Sequence, residues 1–71
     1  MAPLPHFPSD PDDDPGAYAG LDAETAAERA RSRGWTEVRA LAPGTFITLE
    51  YRVGRLNFEV EDGLVRRCWK G

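Results

Sequence analysis

Apolar and polar residues alternate with a period of two from Arg55 to Val60. Leu56, Phe58 and Val60 share one face, and Arg55, Asn57 and Glu59 the other. That pattern predicts a strand. Glu61-Asp62-Gly63 is a hairpin turn signal, and LVRRCW, residues 64–69, reads as the returning strand. Upstream the period changes. Ala23, Ala26, Ala27 and Ala30 recur at i, i+3, i+4 and i+7, which predicts a helix over 22–33. Asp22 is placed to cap it by accepting from the amide of Glu24 or Thr25, and Gly34 is the natural stop. An alanine stripe has little apolar area but lets a helix approach a sheet closely. The bulk of the core is therefore expected from Trp35, Val38, Leu41, Leu56, Phe58 and Val60, with residues 35–41 as a further short strand.

Composition divides the chain. Residues 1–16 hold five of the six prolines and four acidic groups, with no Lys or Arg. Proline blocks regular hydrogen bonding and the aspartates repel one another, so 1–16 read as a disordered tail and 17–71 as a single domain. The whole chain carries a formal charge of −3, with 9 basic and 12 acidic residues. Without the tail the balance is 9 basic to 8 acidic, so the acidity belongs to the tail. A domain this small buries only about 60% of its unfolded surface, which leaves little room for a deep substrate cavity.

Several classes fall away. No apolar run is long enough to cross a bilayer, so no membrane role is expected. The N-terminus shows no secretory pattern, which predicts a cytoplasmic location unless export takes another route. The basic residues form no run interleaved with aromatics, which argues against nucleic acid; Arg29, Arg31 and Arg33 read as a solvated helix face. Cys68 and His6 are the only residues of their kinds, so neither a metal site nor a cofactor is expected. Cys68 reads as a small apolar residue. Ser9 and Ser32 have no histidine but tail His6, which argues against an enzyme.

Residues 42–54, APGTFITLEYRVG, are the informative stretch. Pro43-Gly44 and Gly54 punctuate its ends, and the nine residues between the glycines include the β-branched Thr45, Ile47, Thr48 and Val53. Two readings compete. In one it is an ordinary strand, with Ile47, Leu49 and Tyr51 on one face. In the other it is an extended loop, held rigid from below and displaying its side chains.

The run GTFITLEYRVGRLNFEV resembles the reactive-site segment of the potato inhibitor I family of serine protease inhibitors, to which the barley chymotrypsin inhibitors and eglin belong. Gly44, Thr45, Thr48, Glu50, Tyr51, Arg52, Arg55 and Val60 stand in the family's register. The family's bacterial branch is closer still, through Gly20-Leu21, Gly34-Trp35, Val38-Arg39, Pro43-Gly44-Thr45 and Tyr51 to Asn57. The resemblance covers residues 18–71. It implies an α+β fold: one helix on a short mixed sheet, with a long extended loop joining two parallel strands. The loop would be Thr45, Phe46, Ile47, Thr48, Leu49, Glu50, Tyr51 and Arg52, with Leu49–Glu50 as the bond offered to the protease. Thr48 and Glu50 would each offer an oxygen to the body of the domain. Arg55 is the expected donor beneath the loop and Arg52 a second. The plainer alternatives are an exposed strand arginine for Arg55 and a surface acid for Glu50.

Two positions depart from the plant pattern. Asn57 stands where many plant members have a second supporting arginine; shorter and neutral, it is expected to support the loop beside Arg55 by donating to a loop carbonyl, without a charge. Gly54, replacing a residue that is often Asp, is expected to loosen the loop's return. The bacterial branch often has a disulfide, for which Cys68 has no partner here. Leu49 implies an apolar primary pocket, and Phe46 suits a distal hydrophobic one. The implied partner is a serine endopeptidase, subtilisin-like first and chymotrypsin- or elastase-like second, met by a monomer. The alternative is a non-inhibitory interaction module of the same fold.

Overall fold

The computed structural model describes residues 10–45 and 50–71. Helix α1 (Ala23–Ser32) begins where Asp22, in extended backbone, accepts from the Thr25 amide at 3.0 Å. That bond satisfies one of the amides a helix start leaves unpaired. The helix gives way at Gly34, whose φ of +105° lies in the left-handed region that glycine enters at least cost.

Strands β1 (Glu37–Leu41), β2 (Arg55–Glu61) and β3 (Leu64–Lys70) form one mixed sheet in the order β1-β2-β3. β1 and β2 run parallel, with Val38 opposite Leu56 and Ala40 opposite Phe58. Parallel neighbours need a crossover of a dozen or so residues, and 42–54 supply it. β2 and β3 are antiparallel and joined by Asp62-Gly63, both at positive φ as a tight hairpin turn demands. Glu59 opposes Arg67 but Val60 opposes Val65, so Arg66 is the extra residue of a bulge.

The period-2 pattern of β2 puts Leu56 and Phe58 under α1, against the fully buried Ala26 and Ala30. Trp35, Val65 and Tyr18 complete the core. Tyr18 comes from a short 3-10 turn, Pro15–Tyr18, and its ring centroid lies 5.7 Å from that of Phe58. This core differs in part from the one the alternation suggests. Val38 and Val60 only pack against its edge. Leu41 pairs with Glu59 and lines a shallow cleft with Thr45, Arg67 and Trp69 on the sheet's other face. Tyr18 and Val65 take the buried places instead.

The Pro/Asp stretch is tied to the fold from Asp10 onward. Asp13 accepts from the Trp35 indole Nε1 at 2.9 Å, from Arg33 Nη1 at 3.1 Å and from the Tyr18 hydroxyl. Desolvation pushes the Asp13 carboxyl toward its neutral form, but the three donors together outweigh it and hold the pKa below the usual value. Composition suggests disorder here because it counts prolines and like charges; it carries no sign of donors waiting elsewhere in the chain. Residues 1–9, with His6 and Phe7, lie outside the described residues. Cys68 is half-buried on β3. Burial, then the nearby Asp13 and Asp14 charges, push its thiol up to about 12, so it stays protonated at neutral pH.

Candidate functional site

The crossover leaves β1 and returns to β2 through two similar turns. On the outgoing side the Thr45 amide donates to the Ala42 carbonyl at 3.2 Å, the Thr45 hydroxyl reaches the same oxygen at 2.7 Å, and Gly44 has φ +75°. On the return the Arg55 amide donates to the Arg52 carbonyl at 3.2 Å and Gly54 has φ +83°. A positive φ at the third position is what a type II turn requires, so Pro43-Gly44 and Val53-Gly54 fix the chain's exit and re-entry. Phe46, Ile47, Thr48 and Leu49 lie outside the described residues, so the Leu49–Glu50 bond is described from its Glu50 side only. Glu50, Tyr51 and Arg52 belong to no strand and are exposed.

Arg55 opens β2 on the face away from α1, and only 6% of it is exposed. Its guanidinium reaches both ways beneath the return limb. Nη2 donates to the Glu50 main-chain carbonyl at 2.8 Å, and Nε and Nη2 donate to the Gly71 carbonyl at 3.0 and 2.5 Å. The planar fork suits this bridging task, because its donors are held in a fixed geometry. A buried cation is costly unless it is hydrogen-bonded, and here carbonyl oxygens meet it. The bond to Glu50 runs to the backbone rather than to the carboxylate.

Asn57, fully buried one pleat further on, joins all three strands. Its Oδ1 accepts from Arg39 Nε on β1 at 2.9 Å, and its Nδ2 donates to the Trp69 carbonyl on β3 at 3.3 Å. Arg39 therefore shares the loop-side face with Arg55 and Asn57, a placement the chain's local pattern does not announce. The parallel register that sets Arg39 opposite Asn57 is the signal that finds it. Arg52 points elsewhere, to Glu37 at 3.3 Å on the surface.

The return limb is fixed rather than loose, which corrects the expectation for Gly54. This glycine is buried. Its carbonyl accepts from the amides of Thr36 and Glu37 at 3.0 and 3.2 Å and from the Thr36 hydroxyl at 3.3 Å. Its amide donates to Asp10 Oδ1 at 2.9 Å. A Cβ at this position would sit 2.6 Å from the Thr36 hydroxyl oxygen, so glycine is the residue that permits these contacts. The Tyr51 ring lies against Gly71, and its hydroxyl donates to Asp10 Oδ2. That hydrogen bond raises the Tyr51 pKa and, with the Gly54 amide and the Lys70 charge, lowers that of Asp10.

Among the described residues no group of acidic, histidine or cysteine side chains could hold a metal ion. The arrangement holds the exposed limb of Glu50, Tyr51 and Arg52 from below, through the Arg55 guanidinium and the Asp10 carboxylate.

The model of the peptidase inhibitor I78 family matches residues 18–68. The match is to that family and not to potato inhibitor I, so the loop-pattern resemblance pointed to the right class of protein but not to this family. The chain matches none of the curated proteins. The match spans both turns, Arg55, Asn57 and nearly all of the sheet: the chain belongs to the peptidase inhibitor I78 family, and is a protease inhibitor rather than an enzyme.

Proposed function

We propose that this protein inhibits a serine protease in the substrate-like manner of the potato inhibitor I proteins. Residues 45–52 enter the cleft in extended form, and Leu49–Glu50 meets the catalytic serine. The protease pairs its main chain with the loop as an added strand. A segment already held in its bound shape loses less conformational freedom on binding than a free peptide does.

The observation that carries the reading is the Arg55 bond to the Glu50 carbonyl, 2.8 Å long, from a buried side chain on β2. Its consequence lies in the step after attack. The serine oxygen adds to the Leu49 carbonyl, the Leu49–Glu50 C–N bond breaks, and the Glu50 nitrogen takes a proton from the catalytic histidine and leaves as an amine. In an ordinary substrate that amine diffuses away and water hydrolyses the acyl-enzyme. Here Arg55 holds the residue that bears the amine. The amine remains beside the ester, attacks it, re-forms the peptide bond and releases the serine. Hydrogen bonds to charged groups contribute about 1.5–3 kcal/mol each, enough to favour the tethered arrangement. One chain supplies the whole arrangement, so a monomer suffices.

Leu49 fits an apolar primary pocket and Phe46, three residues earlier, a distal one. A subtilisin-like protease is the first target, a chymotrypsin- or elastase-like one the second. Titration of active subtilisin with the purified protein tests the reading. The expected result is stoichiometric loss of activity, with slow cleavage at Leu49–Glu50 alone. Rapid degradation at many bonds, or no loss of activity, overturns it. Leu49→Lys is expected to move inhibition toward trypsin-like enzymes, whose primary pocket favours a cation. Unchanged selectivity in that variant refutes the assigned bond.

A further inference from the structure

The family match begins at residue 18, yet two carboxylates upstream of it hold the site and its support. Asp10 spans the return limb. One oxygen takes the Gly54 amide at 2.9 Å, and the other takes the Tyr51 hydroxyl. The two donors are three residues apart on the limb, so a single side chain fastens both ends of the segment that follows Glu50.

The strap is itself anchored. Three residues on, Asp13 is bound to Trp35, Arg33 and Tyr18, of which Trp35 and Tyr18 are core residues. Pro11, between the two carboxylates, lies against the Gly34 turn. The path from Asp10 to the core is thus short and held at both ends, and Lys70 adds a favourable charge near Asp10.

We propose that Asp10 is a positioning residue which straps the return limb of the loop to the core, so that the acidic arm sets how slowly the presented bond is cut. The proposal rests on the inhibitory reading above. Arg55 holds the limb at Glu50, and Asp10 holds it at Tyr51 and Gly54. With the limb fixed at three points, the newly formed amine has little freedom to leave. Freed at two of them, it swings away more often, and hydrolysis overtakes re-formation of the bond. The strap acts after the loop has bound, so its loss speeds cleavage more than it weakens first binding.

The test uses the full chain and its Asp10→Ala and Asp10→Asn variants against subtilisin. It reads the hydrolysis rate at Leu49–Glu50, the inhibition constant and the hydrogen exchange of the Gly54 amide. Asp10→Ala is expected to raise hydrolysis about ten-fold, the scale of losing one charge-assisted hydrogen bond, with a smaller change in the inhibition constant. Asp10→Asn keeps an oxygen for the Gly54 amide and is expected to stay within about three-fold of the parent. Exchange at Gly54 is expected to accelerate in Asp10→Ala while the thermal midpoint moves little. Accelerated exchange with unchanged hydrolysis overturns the link to inhibition, and no change in either overturns the strap. If the parent protein fails to inhibit, the reading under Proposed function falls, and Gly54 exchange alone decides whether the strap exists.

Discussion

From Arg55 to Phe58 both faces of β2 are buried, and they are filled with opposite chemistry. Toward α1 lie Leu56 and Phe58, packed on alanine, tyrosine and tryptophan. Away from it lie Arg55 and Asn57, bonded to the Glu50, Gly71 and Trp69 carbonyls and to the Arg39 guanidinium. The apolar face gains free energy from area removed from water and is indifferent to direction. The polar face adds little net stability per bond, because each replaces a bond to water, but it fixes where the bonded atoms sit. One strand thus separates holding the fold together from holding the loop in place. A small domain gains from this division, since a change in loop chemistry need not disturb the core.

The largest difference between the two faces is expected at Phe58. Phe58→Ala is expected to lower the unfolding free energy by about 3–5 kcal/mol, most of what a domain of this size possesses. Urea unfolding followed by tryptophan fluorescence reads it. Proteolysis of this variant should be general, because the chain unfolds, rather than confined to Leu49–Glu50. Arg55→Met keeps the apolar stem and removes the donors. Its expected stability loss is smaller, about 1–3 kcal/mol, while cleavage at the single bond Leu49–Glu50 accelerates. If Arg55→Met unfolds as readily as Phe58→Ala and is cut everywhere, the two faces are not separate in function.

The face toward α1 was the legible one. Alternation in RLNFEV and the alanine spacing depend only on neighbours in sequence; they place Leu56, Phe58, Ala26 and Ala30 in the core, and Val60 and Ala27 at its edge. The loop's limits were legible too, because Pro43-Gly44 and Gly54 mark backbone conformations that few other residues adopt. The polar face was less so. That Asn57 would meet Arg39 depends on the parallel register, which no local pattern states. The acidic arm was least legible. Trp35 and Asp13 stand 22 residues apart, Gly54 and Asp10 stand 44 apart, and a run of prolines and aspartates looks the same whether or not donors await it. The burial of Tyr18 is hidden for a related reason: it depends on the 3-10 turn that Asp14 caps, not on any apolar period. The loop run carries the class of inhibitor but not the family, because similar loop patterns do not by themselves separate one inhibitor family from another.

The finest test concerns the rim where the apolar face meets the arm. Tyr18 and Trp35 are buried, but each directs its one polar atom to Asp13, so the core ends in a titratable clasp. The folded pKa of Asp13 lies below its ordinary 3.8, because its three donors favour the ionised form over the desolvation that opposes it. As pH falls, the unfolded chain takes up this proton first. The stabilisation from the clasp is therefore complete above the unfolded value and is lost as pH falls through the folded one. The urea midpoint of the parent protein should decline between about pH 5 and pH 2. In Asp13→Asn the decline should be shallower but still present, since the pKa values of Asp10 and Asp22 are lowered as well. An equally steep decline in the variant would mean that Trp35 and Tyr18 are held by packing alone, and that the apolar face needs no polar edge.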